Sequence, residues 1–133
     1  MKMFKGQIDW KDGYRLVVKE HYFNVYDNKD DKVYFEKSNG FWVKREYDEN
    51  GNVIYYEDSD GYWFKREFDN QYNEIYYENI FGYLAKREYD ENGKLIYYET
   101  SSGKILDKRT TELTLEQIAD KFGVKVERLK IKK

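Results

Sequence analysis

The chain contains one histidine, His21, and no cysteine, which narrows the chemistry at once. A hydroxyl nucleophile needs a base within hydrogen-bond reach, so any Ser/His/Asp arrangement would have to recruit His21. Its context, "KEHYFNVYD", reads as a strand, and a histidine on a strand surface accounts for it. Zinc is equally short of ligands, since thiolates are absent and one imidazole does not make a site. Carboxylates are abundant, and neighbours such as Asp48 with Glu49 or Asp58 with Asp60 invite comparison with acid–base pairs. That chemistry requires two carboxyls in environments different enough to separate their proton affinities. These pairs instead sit in turn-like stretches and recur along the chain. "DENGN" lacks the alternating ligands and distant Glu of a calcium loop, and no glycine-rich phosphate cradle is present. The expectation is a non-enzyme with no cofactor and no metal.

The recurrence itself is the stronger signal. "GFWVKREYDENGNVIYYEDSD" (40–60), "GYWFKREFDNQYNEIYYENIF" (61–81) and "GYLAKREYDENGKLIYYETSS" (82–102) are one 21-residue unit written three times. Gly40, Gly61, Gly82 and Gly103 form one column, and Lys-Arg-Glu at 44–46, 65–67 and 86–88 another. A fainter unit precedes them at about 19–39, where Tyr26, Asp27, Val33, Tyr34, Glu36 and Ser38 match the next unit, and a truncated one follows at 103–109. Atypical end units are what stacked repeats require. The chain thus divides into a β-hairpin repeat sheet over 1–109 and a helical cap with a basic tail over 110–133.

Within a unit, "FWVKREY" and "VIYYE" favour strands, whereas "DENGN" and "DSDG" are turn chemistry. The fold class expected is mainly β: an antiparallel meander of hairpins in a single-layer or curled sheet, with a C-terminal capping helix. "DENG" suits a turn with Gly51 or Gly93 in the left-handed position, and the middle unit puts Tyr72 there instead. Either that turn differs or Tyr72 is strained by about 1 kcal/mol. Pairing through a bulge at the turn sets Tyr47 opposite Val53, Arg45 opposite Tyr55 and Val43 opposite Glu57 on one face. Glu46 with Ile54, Lys44 with Tyr56 and Trp42 with Asp58 then occupy the other. Arg45, Arg66 and Arg87 should form a ladder between aromatic rings.

After residue 109 the pattern changes. Thr114 is a candidate N-cap, with Leu115, Ile118, Ala119 and Phe122 at helical spacing and Gly123 as the stop. That helix is expected to bury Leu115, Ile118 and Phe122 against the open end of the sheet. Charge is uneven: residues 40–102 carry 7 basic and 14 acidic side chains, and residues 103–133 carry 9 and 5. The opening "MKMFKGQIDWKDGY" has no apolar signal core and no run approaches a membrane span, so a cytoplasmic location without membrane contact is expected.

"LTLEQIADKFGV" resembles the first helix and turn of a helix-turn-helix, although ten residues after Gly123 leave little room for a reading helix. The tandem "YDxNGxxIYYE…GYW" grammar of residues 26–109 resembles the YD/Rhs and MORN-like repeat classes, and more closely the short aromatic repeats of small bacteriophage and prophage proteins. It departs from MORN repeats in its period and from YD/Rhs shells in its few units. The resemblance implies a scaffold of phage origin in a bacterial host. Combined with the aromatic surface, it makes a protein-binding module the leading expectation, in concrete form an inhibitor docking on a bacterial protein or ribonucleoprotein such as a defence nuclease. The residues expected to carry binding are Trp42, Trp63, Tyr62 and Tyr83, with Arg45, Arg66 and Arg87 beside them. The alternatives are direct nucleic-acid binding through the basic tail and a structural or virion component that self-associates through sheet edges.

Overall fold

Two kinds of tight turn alternate along the chain, and both are closed by the same device. In the first, the Asp48 carboxylate accepts the amides of Asn50 (2.9 Å) and Asn52 (3.0 Å), and Asp69 and Asp90 do the same one and two repeats later. In the second, Asp58 accepts the amides of Asp60 (3.0 Å) and Tyr62 (3.3 Å). A short acidic side chain that caps its own turn favours this geometry. Asp48, Asp58, Asp69 and Asp90 are therefore hairpin closures, and Asn79 takes the role of Asp58 one repeat later. Each turn needs one left-handed residue, and Tyr72 supplies it at φ 65° where its neighbours use Gly51 and Gly93. The turn is unchanged: the Tyr72 amide still reaches the Asp69 carbonyl at 3.1 Å.

The computed structural model describes residues 4–109, 114–123 and 125. The strands are β1 (Arg15–Val18), β2 (Tyr22–Tyr26), β3 (Lys32–Lys37), β4 (Trp42–Tyr47), β5 (Val53–Asp58), β6 (Trp63–Phe68), β7 (Glu74–Asn79), β8 (Leu84–Tyr89), β9 (Leu95–Thr100) and β10 (Ile105–Asp107), followed by the helix α1 (Leu115–Phe122). All ten strands form one antiparallel sheet in sequence order, so the meander of tandem hairpins is the fold.

The register departs from the expected one. Tyr47 does pair with Val53, but Glu46 then pairs with Tyr55, Arg45 with Tyr56, Lys44 with Glu57 and Val43 with Asp58. Ile54 has no partner of its own, because a bulge falls between the pairs of Glu46 and Tyr47. An extra residue at a bulge moves every later side chain to the opposite face. The same shift recurs at Val25/Tyr26, Glu67/Phe68 and Glu88/Tyr89. One face therefore bears Val43, Arg45, Tyr56, Phe64, Arg66, Tyr77, Ala85, Arg87 and Tyr98, and is called the arginine face. The other bears Trp42, Lys44, Tyr55, Glu57, Trp63, Lys65, Tyr76 and Glu78, and is called the lysine face.

Few side chains are buried: the apolar Val25, Tyr34, Val43 and Ala85 and the polar Asn24, Glu36 and Thr100 in the sheet, and Ala119 in the helix. Most of this burial gathers at the N-terminal end, where residues 4–6 lie on the lysine face. α1 forms as expected, with Thr114 accepting the Gln117 amide at 3.1 Å, the Gln117 side chain accepting the Thr114 amide at 2.9 Å, and Gly123 left-handed at the end. Its expected seat on the sheet is not made among the described residues. Leu115 is exposed, Phe122 is 70% exposed, and α1 approaches no strand. β10 is three residues long and wholly exposed, a short strip for a two-turn helix to pack on. The basic tail beyond Lys125 lies outside the described residues.

Candidate binding faces

The arginine face is a continuous run of rings and guanidinium groups. Tyr56 and Phe64 stack at 5.2 Å and 2°, and Phe64 continues to Tyr77 at 5.9 Å and 22°. Arg45 lies 5.6 Å from the Tyr56 ring, Arg66 lies 5.0 Å from Phe64 and 5.3 Å from Phe68, and Arg87 lies 5.1 Å from Tyr98. The expected arginine ladder is present, each contact worth roughly 0.5–1 kcal/mol at a surface. Arg66 is further fixed by its Nε, which donates to the Val53 carbonyl at 3.0 Å.

Tyr62 and Tyr83 join this face from the turns. The Tyr62 ring meets Tyr56, Phe64 and Phe81, and its hydroxyl lies 3.3 Å from that of Tyr77. Tyr83 repeats the arrangement with Tyr77 and Tyr98. Shared hydroxyl hydrogen bonds, then burial, push both phenols above the usual tyrosine range. Phe81, 81% exposed, ends the patch beside Tyr62.

Trp42 and Trp63 stand on the other side of the sheet. Each carries a lysine over its indole, Lys44 at 5.3 Å and Lys65 at 5.4 Å. The seven residues expected to bind therefore divide into an arginine-face group (Arg45, Arg66, Arg87, Tyr62, Tyr83) and a lysine-face pair, and no single stripe contains them all. Trp42 is also covered. Its ring packs against Tyr34, and Gly6 sits so close above it that an added Cβ would lie 2.7 Å from the indole.

That cover is a short clasp which the sequence pattern does not reveal. The Lys5 amide donates to Glu36 Oε1 at 2.7 Å, the Gly6 amide donates to the Tyr34 hydroxyl at 2.9 Å, and that hydroxyl donates to Glu36 Oε1 at 2.6 Å. Phe4 meets Phe23 and Tyr34 edge-on at 5.4 and 5.5 Å. Burial first, and the adjacent Glu36 carboxylate second, raise the Tyr34 phenol well above its ordinary range. Beyond the clasp, Gln7, Ile8, Asp9, Lys11, Asp12 and Tyr14 wall a cleft of about 790 Å³ whose lining includes Lys44, Glu46, Tyr55 and Glu57.

Among the described residues no cluster of three or more His, Cys, Asp or Glu side chains forms a metal-holding group, and no helix is long and apolar enough to cross a membrane. No family model matches the chain, and no curated protein matches it.

Proposed function

We propose that the protein is a non-enzymatic binding module that docks another protein on a face of its sheet. The observation that carries this reading is the single-layer sheet from β6 to β9. Aromatic and charged ladders repeat there on both faces, and among the described residues no other helix or strand packs over them. Tyr, Trp and Arg are the side chains that dominate binding energy at interfaces, because they join large contact area to polar tips. Phe81 and Tyr83 are exposed beside the half-buried Tyr56, Tyr62, Phe64 and Tyr77, and contiguous exposed apolar area marks interaction sites.

The arginine face is the stronger candidate of the two, since Arg66, Tyr62, Phe64 and Phe81 form one packed and partly exposed group. Its rings already fix one another, so little side-chain freedom remains to be lost on docking. In concrete form, and with the likeness to phage repeat proteins as its support, the module is an inhibitor that occupies a bacterial protein or ribonucleoprotein in the cytoplasm. The test is capture from bacterial lysate with tagged full-length chain, with and without nuclease, alongside Arg66→Ala and Tyr62→Ala. One protein retained after nuclease and lost with these variants supports the reading. Recovery of nucleic acid alone, or of nothing but the chain itself, counts against it.

A further inference from the structure

The clasp at the N-terminus occupies one copy of a site that the repeat writes more than once. Tyr34, Glu36 and Trp42 lie adjacent on the lysine face, Glu36 paired with Trp42 across β3 and β4. One period later Tyr55, Glu57 and Trp63 hold the same positions, with Glu57 paired with Trp63 across β5 and β6. The next copies replace the indole by Leu84 and then Ile105. The tyrosine-to-glutamate hydrogen bond recurs in those two later copies, at 2.8 Å for Tyr76 to Glu78 and 2.6 Å for Tyr97 to Glu99, whereas in the second copy Glu57 also engages Lys44 at 3.6 Å. In the first copy these groups accept two consecutive backbone amides and seat a glycine on the indole. In the second copy no segment of the described chain does so.

We propose that the Tyr55–Glu57–Trp63 site receives an extended segment of the partner protein, held by two backbone amides, with a glycine on Trp63. This deepens the reading of the protein as a binding module and rests on it. The second site is not identical to the first, and the difference specifies its occupant. Tyr34 and Glu36 pair with Val25 and Phe23, and Phe4 packs on Phe23, whereas the equivalent partners of Tyr55 and Glu57 are Glu46 and Lys44. Lys44 lies 3.6 Å from Glu57 Oε2, and a carboxylate oxygen accepts more than one hydrogen bond, as Glu36 Oε1 does from Tyr34 and Lys5, so Glu57 keeps the capacity to accept an amide. The wall of the cleft adds Asp9, Lys11 and Asp12, so acidic groups outnumber basic ones around the opening. A basic side chain two residues before the glycine would face Glu46 and the Tyr55 ring, with the Lys44 charge already engaged by Glu57. The occupant is thus an extended basic-X-Gly segment. Free peptide is directed to the second site because the first is filled by a tethered segment at high effective concentration.

The test is a nuclear magnetic resonance titration of the full chain with the amidated peptide Lys-Lys-Gly-Gln-Ile-Asp, and with its counterpart carrying Ala in place of Gly. Saturable shifts at Tyr55, Glu57 and the Trp63 indole N–H are expected, with at least tenfold weaker binding of the alanine peptide. Glu57→Ala and Trp63→Ala should weaken binding by tenfold or more while the Gly6 and Trp42 resonances stay in place, and Glu78→Ala should change nothing. No saturable shift at millimolar peptide, equal binding of the alanine peptide, or shifts centred on Tyr34 and Trp42 would each overturn the proposal. Failure here is separable from failure of the wider reading. A lysate partner bound normally by Trp63→Ala but lost with Arg66→Ala keeps the binding module and removes this site. A partner indifferent to both faces removes the module and this site together.

Discussion

Gly6→Ala tests the account of the clasp in one substitution. The added methyl would stand 2.7 Å from the Trp42 indole, well inside van der Waals contact, so either the ring or the segment must move. If the indole yields, the cost is that of overpacking, about 1 kcal/mol. If the segment lets go, two hydrogen bonds to Glu36 and Tyr34 are lost, each worth about 1 kcal/mol net, together with the Phe4 edge contacts at about 0.5–1.5 kcal/mol apiece. The expected loss therefore lies between about 1 and 5 kcal/mol. For a domain of this size that lowers the Tm by roughly 4 °C per kcal/mol. The assay is thermal unfolding, paired with hydrogen exchange at the Lys5 and Gly6 amides. A second arm isolates the clash: in a Trp42→Ala background, Gly6→Ala should cost much less, because the atoms it strikes are gone. Unchanged Tm in Gly6→Ala, or unprotected amides in the unsubstituted chain, would refute the reasoning.

Three further outcomes are expected. Tyr72→Gly should stabilise the protein by about 1 kcal/mol, since a left-handed non-glycine is strained and the Tyr72 side chain, 61% exposed, gives up little contact; a lower Tm would show that its ring is held. Arg66→Ala should cost about 1–2 kcal/mol through the lost Phe64, Phe68 and Val53 contacts, and Arg66→Lys should recover little because an ammonium neither stacks nor reaches the carbonyl as the planar group does; full rescue by lysine in denaturant unfolding would contradict this. Alkali should unfold the protein through its phenols. Burial, ahead of neighbouring charges, raises Tyr34, Tyr47 and Tyr56, so the fold binds more protons than the unfolded chain above about pH 10. Their stabilisation is complete below that pH and is lost as pH rises through the folded values, by up to about 1.4 kcal/mol per pH unit for each tyrosine. A pH-independent Tm between 9 and roughly 12 would sink that reading.

The hairpins were legible because each turn is spelled by a capping Asp and a left-handed position, and Tyr72 at that position was visible as a strained substitute. The helix boundaries followed from Thr114 and Gly123. The register was not legible, because the bulge at Ile54 is marked by no glycine and a β-branched residue there looks like ordinary strand. That one extra residue carried Tyr55 and Tyr56 to the opposite faces from those expected. The split of the candidate site needed no structure: Trp42 and Arg45 are three residues apart, and side chains at odd separation in a strand point to opposite faces. The clasp has no counterpart in the repeats, so only the unmatched Gly6 and the burial of Tyr34 and Glu36 disclose it. The helix pattern showed an apolar stripe but not its seat, since amphipathicity names a buried face without naming what covers it.

The proposed docking requires that one face of this sheet be an interface. Calorimetric affinity of the lysate partner for the unsubstituted chain, for Arg66→Ala with Tyr62→Ala, and for Trp63→Ala tests it most directly, with the fold of each variant checked by its strand signature in circular dichroism. Binding weakened at least tenfold by substitution of one face, in a variant that remains folded, is the expected result. Equal affinity across all of them would contradict the claim.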